Sequence, residues 1–284
     1  MKRAHGSTRQ LGFTLIELLT ALGIFLLICG AAFTLLSSSQ QRYQTESQVL
    51  TSFQEARLGL DQIVRDVNDS GFPPPAFNDG IAADAFQYAS SPFAWSPGYP
   101  GAPCQIGTAG GGTCTTAAAG DTAPGDFDLI IETNPNPQNS NNVQWIRYQL
   151  VGTTLMRGMV GKAVGTDPDA ATSAAGVLAP FVQNVVNNVC PAQIPTCQTA
   201  YPGLFPGGTP VPIFTYLCDN PPVPQSPPPP TTACRWAATN INSPANIREV
   251  TITLIVAAPL PDATTGQPRL VQLAGRGRRI NPNQ

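Results

Sequence analysis

The 284-residue chain contains a single histidine, His5, and it precedes the long apolar run described below. A Ser-His-Asp or Cys-His nucleophile therefore cannot be assembled from the rest of the chain, and no enzymatic role is expected. Charge is also scarce. Charged residues make up 11% of the chain, against about 25% in an average globular domain. The net charge of −2 gives no global reason to expect nucleic acid or acidic lipid as a partner. No CxxC pair occurs among the seven cysteines, so a zinc site has no support. The run Gly110-Gly111-Gly112 is not followed by the Lys-Ser/Thr of a phosphate loop. No metal and no cofactor is expected.

What the chain does have is a long apolar stretch, Gly12 to Leu36, with one formal charge, Glu17. As a helix it is about 36 Å long, enough to cross a hydrocarbon core of about 30 Å. The flank before it carries Lys2, Arg3 and Arg9 and no acid. By the positive-inside rule the first dozen residues stay cytoplasmic and everything after Leu36 lies outside. A carboxylate such as Glu17 costs about 2.5–3.5 kcal/mol at mid-bilayer, less near the interface, and so marks a function with a specific partner.

The basic leader ending in Gly12, followed by Phe13-Thr14-Leu15-Ile16-Glu17 at the start of an apolar helix, resembles the processing signal of type IV prepilins and type II secretion pseudopilins. The resemblance implies that a prepilin peptidase removes residues 1–12 by cutting after Gly12 and then N-methylates Phe13. It implies that Glu17 helps dock the subunit among other pilin or pseudopilin subunits, through the N-terminal helix and on an inner-membrane assembly platform. It places the protein as a single-pass inner-membrane protein with a periplasmic globular domain, moving later to the tip of a pilus or pseudopilus. Three other readings compete: a secretory signal peptide, whose apolar region normally spans about 7–15 residues; a lipoprotein with Cys29 modified, although Ile28 precedes it; and an uncut signal anchor.

Between Ser37 and Ser70 there is no proline, and Gly59 is the only glycine. Val49, Phe53, Ala56, Leu60, Ile63 and Val67 recur at steps of four and three, which predicts an amphipathic helix over 37–70 with one buried stripe. Gln54, Glu55, Arg57, Asp61, Gln62, Arg65 and Asp66 are assigned to its other faces. Gly71 is the expected left-handed cap, and Phe72-Pro73-Pro74-Pro75 ends the helix. A single helix from Phe13 to Ser70 is favoured over two helices broken at Ser37-Ser38-Ser39. Thr34 stands where major pilins often carry a proline.

Thirty prolines and 26 glycines concentrate after residue 71, yet 42% hydrophobic content argues for a folded domain. The exported domain, 71–284, reads as strands separated by loop insertions at 76–126 and 187–245. Strands are expected at Phe127–Glu132, at Val143–Leu150 with Thr154–Val160 as a hairpin, and at Pro212–Cys218, Ile247–Ala257 and Arg269–Ile280. Gly176–Val189 holds a short helix or strand around Phe181-Val182 and Val185-Val186. In the Ile247–Ala257 strand, Val250, Ile252, Leu254 and Val256 share one face, opposite Glu249, Thr251 and Thr253. A polyproline segment, Pro227–Pro230, lies in the excursion 219–246. The order of long helix and then antiparallel sheet is α+β, a pilin-like fold.

Six cysteines lie in the exported part, where oxidation is expected, and they allow 15 pairings. Short separations favour neighbours: Cys104–Cys114, Cys190–Cys197 and Cys218–Cys234. Cys29 reads as a small buried hydrophobe. Asp126 with Asp128, and Asp167 with Asp169, can be calcium ligands, but a strand start and an Asp-Pro-Asp turn explain them better. Arg276, Arg278 and Arg279 fit a solvated strand edge better than a partner-binding surface. Trp95, Trp145 and Trp236 are core or loop anchors.

The Tyr148-x-Leu150…Leu155-x-Arg157 hairpin, the IREVTITLIV strand and the terminal Arg278-Arg279-Ile280-Asn281 resemble the larger minor pilins and minor pseudopilins of the W and J classes. The expected function is therefore that of a minor pilin that initiates or caps a type IV pilus. A minor pseudopilin of type II secretion is the alternative within that class. A membrane-anchored adhesin or DNA-binding receptor, with the loops at 76–126 and 187–245 meeting the ligand, is the alternative from another class; nucleic acid is the less expected partner.

Overall fold

The computed structural model describes residues 14–73, 88–89, 91–95, 124–136, 142–163, 165–218, 232–233, 244, 247–262 and 266–279. The chain divides into two compact units, Met1–Ser47 and Gln48–Gln284. Helix α1, Leu15–Asn68, is 54 residues long and runs unbroken through Ser37-Ser38-Ser39. No proline interrupts its hydrogen-bond ladder. It stops where Gly71 adopts φ +79°, a conformation that an L side chain would resist. The Gly71 N–H then donates to the Glu132 carbonyl at 2.8 Å, fixing the exit of the helix against the sheet.

In the second unit a five-stranded antiparallel sheet has the order β1-β2-β3-β4-β5. Its strands are β1 Phe93–Ala94, β2 Asp128–Thr133, β3 Gln144–Val151, β4 Thr154–Gly161 and β5 Ala179–Val182. A four-stranded sheet, also antiparallel, has the order β7-β6-β8-β9. It comprises β6 Phe214–Cys218, β7 Thr232–Ala233, β8 Ile247–Pro261 and β9 Pro268–Arg278. The expected hairpin is β3–β4, turning at Gly152 with φ +60°. Strand β6 pairs with β8 from Phe214↔Ile252 to Cys218↔Ile247.

One apolar core joins the pieces. Ala56, Leu60, Ile63 and Val67 of α1 pack on Leu129 and Ile131 of β2, Ile146 of β3, and Val250, Ile252, Leu254 and Val256 of β8. Phe53 of the expected stripe is only half-buried. Small residues bring the helix close. A Cβ on Gly277 would lie 2.5 Å from Val67 Cγ1, and one on Gly59 would lie 2.4 Å from Val182 Cγ2. Both distances are far inside van der Waals contact, so these glycines set the helix-to-sheet spacing.

Two sheets stand where a single one was expected, and residues 182–187 explain the division. Asn184 takes φ +59°, a left-handed conformation that Asn tolerates better than most residues. The chain thereby leaves β4 and turns to β8, where Val185 makes an isolated bridge with Val256. The buried Asn187 amide donates to the carbonyls of Val211 and Thr253 at 3.0 and 2.9 Å and accepts from the Ile255 N–H at 2.7 Å.

Two stretches expected as loop or turn carry short helices instead. α2, Pro168–Thr172, replaces the Asp-Pro-Asp turn, because the Asp167 side chain accepts from the N–H groups of Asp169 and Ala170 as an N-cap with Pro168 in the first turn. α3, Cys197–Ala200, lies within the 187–245 insertion. Around it Ile194, Cys197 and Phe205 bury themselves against Ile255 and Ala257 on the other face of β8. The proline-rich excursion 219–246 lies mostly outside the described residues. Its strand β7 pairs with β6 at Leu217↔Ala233.

Candidate functional site

The opening turn of α1 sets a polar site in an apolar surface. Glu17 Oε2 accepts from both the backbone N–H and the hydroxyl of Thr14, each at 2.9 Å. The Glu17 N–H returns to Thr14 Oγ at 3.4 Å. This is a reciprocal capping box of the Thr-x-x-Glu type, and it satisfies donors that the first helical turn would otherwise leave open. The spacing of Thr14 and Glu17 was visible in the sequence, but the capping role was missed. Beyond it Leu15, Ile16, Leu19, Phe25, Leu27 and Phe33 are all exposed. α1 is long and apolar enough to cross a membrane, so lipid or other apolar helices suit this surface. Cys29 is a free thiol, half-exposed in the chain by itself rather than buried. Gly12 and Phe13 lie outside the described residues.

In the second unit the hairpin motif is an anchor for α1. Tyr148 faces Arg157, and Leu150 faces Leu155, as direct cross-strand partners. The Tyr148 hydroxyl donates to Asp66 Oδ2 at 2.5 Å and accepts from Arg157 Nε at 3.0 Å. Arg157 also reaches Asp66 Oδ2 at 3.0 Å, and Gln62 donates to Asp66 Oδ1 at 2.7 Å. Periodicity assigns Asp66 to the other faces of the helix, away from the buried stripe; it is buried, because it lies beside Ile63 and Val67 on the side that meets the sheet. Burial, and then the Asp66 charge, hold the Tyr148 hydroxyl far above its ordinary pKa, so it stays a donor.

The face of the five-stranded sheet on the other side from Tyr148 carries three more ion pairs, two on Arg147 and one on Glu132. Arg147, only 2% exposed, forms a two-pronged bridge to Asp128 at 2.9 and 2.6 Å and meets Asp169 at 2.5 Å. It also donates to the hydroxyls of Thr172 and Ser173 at 3.2 and 2.6 Å, tying α2 to β3. Burial raises the pKa of Asp128, and Arg147 only partly offsets that. Glu132, fully buried, accepts from Lys162 Nζ at 2.7 Å and from the Trp145 indole at 3.1 Å. Of the acids considered for calcium, Asp128 and Asp169 thus pair with Arg147 and Asp167 caps α2. Among the described residues no group of three or more His, Cys, Asp or Glu converges on a point.

Cys190 and Cys197 are joined at an S–S distance of 2.11 Å. Cys218 is also disulfide-bonded. Cys104, Cys114 and Cys234 lie outside the described residues, as do Trp236 and Ile280. Trp95 and Trp145 are core. The three terminal arginines do not share one environment. Arg276 is exposed and pairs with Glu249, and Arg278 is exposed. Arg279 is a correction to the solvated-edge reading: it is buried, because its side chain folds in beside Gly71.

Comparison with known proteins bears on the first unit. No curated protein and no solved structure matched the chain. Residues 7–33 match the family model for the prokaryotic N-terminal methylation motif. That match covers the processing signal and the apolar opening of α1, and on it the chain is type IV prepilin-like.

Proposed function

We propose that the chain is a minor pilin, cut after Gly12 and N-methylated at Phe13 by a prepilin peptidase, that helps initiate or cap a type IV pilus. The observation that carries this reading is the methylation motif at residues 7–33, opening a helix whose later turns are built into the core of a two-sheet domain. In this reading residues 1–12 are the leader, 13–36 span the inner membrane and 37–70 are the amphipathic half. Residues 71–284 form the periplasmic domain. A large domain with few charges and disulfide-closed loops suits a position of few copies better than a shaft subunit. The same role exists in the pseudopilus of type II secretion. Neighbouring genes for other small prepilins and an assembly ATPase would support the filament reading, and a secretin gene alone would leave the two systems undivided.

Docking then falls to Glu17 and to the cation that cleavage creates on Phe13, whose reference pKa is about 7.7–8.0. In apolar surroundings an unpaired carboxylate is costly, so the pair favours correct axial register. Glu17→Gln keeps a capping acceptor for Thr14 and removes the charge, whereas Glu17→Leu removes both. Both variants should be inserted and cleaved, and both should lose capture of partner subunits in membrane crosslinking. Capture of either variant at the wild-type level would end the docking role.

A further inference from the structure

The four-stranded sheet ends on β9, which is 11 residues long. The other outer strands, β1, β5 and β7, have two, four and two residues. Two hydrogen bonds fix which backbone groups of β9 face outward. The Arg279 N–H reaches the Arg248 carbonyl, next to β9's partner strand position, at 3.0 Å. The Arg278 N–H turns away from β8 to the Asn68 side-chain oxygen at 2.8 Å. In an antiparallel ladder the N–H and C=O of one residue point the same way, and successive residues alternate. Gly277, Gly275, Leu273 and Val271 therefore bond to β8. Arg276, Ala274, Gln272 and Leu270 turn their backbone groups outward, where none finds a backbone partner among the described residues.

The two faces beside this edge differ in chemistry. Toward α1, Leu273 packs on the main core and Gly275 lies under Leu60 and Val64. On the opposite face Gln272, Ala274, Arg276 and Arg278 are exposed. Arg276 pairs with Glu249, and Arg278 makes no ion pair among the described residues. Charge on an edge normally discourages pairing with another edge. With Glu249 on the same face opposite Arg278 and paired to Arg276, the face keeps a net charge of one cation, carried outward by Arg278, which discourages a basic strand and leaves an acidic one unopposed.

We propose that the Leu270–Arg276 edge of β9 receives an extended segment of a partner protein by strand addition, with apolar side chains toward α1 and carboxylates toward Arg276 and Arg278. Main-chain hydrogen bonds supply the affinity in such additions, and alternate side chains supply the selection. The interface uses no residue of the methylation motif, so its failure would leave the pilin reading intact. The test is a fluorescence-anisotropy titration of the full chain in detergent, with a short labelled peptide alternating valine and glutamate and a control alternating valine and lysine. The glutamate peptide should bind at least about tenfold more tightly. Ala274→Pro removes one outward N–H and leaves the β8 ladder in place, so it should weaken binding by about tenfold or more, while Ala274→Thr should bind as the wild type does. Arg278→Glu should move the preference toward the lysine peptide, and it serves as the independent check if Ala274→Pro does not fold. No binding of the glutamate peptide, equal binding of the two peptides, or an unchanged preference in Arg278→Glu would overturn the proposal.

Discussion

Replacing Asp66 tests how α1 is held on the sheets. The carboxylate is buried, with donors from Tyr148 at 2.5 Å, Arg157 at 3.0 Å and Gln62 at 2.7 Å. Asp66→Ala leaves the Tyr148 hydroxyl proton buried without its acceptor, which costs about 1–3 kcal/mol. The lost charge-assisted bonds add about 1.5–3 kcal/mol. Two effects subtract from this. Arg157 is 24% exposed and can turn to water. An acid in the last helical turn also opposes the helix dipole by about 0.3–1 kcal/mol. The net expectation is a loss of about 3 kcal/mol. Tyr148→Phe should cost about 1.5 kcal/mol, because Asp66 keeps two donors. The double variant should then show a coupling of about 1.5 kcal/mol in a urea-denaturation cycle. Coupling below about 0.5 kcal/mol would mean that the two residues act independently, and the anchor would have to be abandoned.

Gly277→Ala should destabilise by about 1–3 kcal/mol through overpacking, since its Cβ would lie 2.5 Å from Val67 Cγ1; an unchanged thermal midpoint would contradict the close approach of helix and strand. The raised pKa of Asp128 has a pH consequence of definite sign. The folded state holds this proton more tightly than the unfolded chain does, so the group's contribution is present below its ordinary pKa. It is lost as pH rises through the raised value. Asp128→Asn lacks this titration, so its stability relative to wild type should rise across that window and then level off; a difference that falls instead would reverse the assignment.

The parts legible in the sequence were those with a local cause. Gly71 ended the helix where a left-handed residue was needed. The alternation Val250, Ile252, Leu254 and Val256 marked the inner face of β8, and all four are core. The turn at Gly152 identified the hairpin. What was not legible depended on partners far away in sequence. Asp66 and Tyr148 are 82 residues apart, and periodicity alone assigns an aspartate between two apolar positions to solvent. Arg279 was grouped with its arginine neighbours, but the sharp exit at Gly71 opens a place for it. The division into two sheets turned on one left-handed residue, Asn184, in a stretch whose pattern fitted helix and strand equally. Phe205 and Ile194 gave no periodic signal, because they reach β8 from irregular turns. At the N-terminus the Thr-x-x-Glu spacing of Thr14 and Glu17 is a local signal for the cap, which the reading of Glu17 as a docking group alone passes over.

Intact mass and N-terminal sequencing of the chain, recovered from membranes of a host that contains a prepilin peptidase, bear most directly on the proposed function. The expected species begins at Phe13 with one N-methyl group, and a bulkier residue at Gly12 should leave the leader in place. A mature chain that begins at Met1 or Lys2, or near Cys29, in the presence of active peptidase would contradict the prepilin reading.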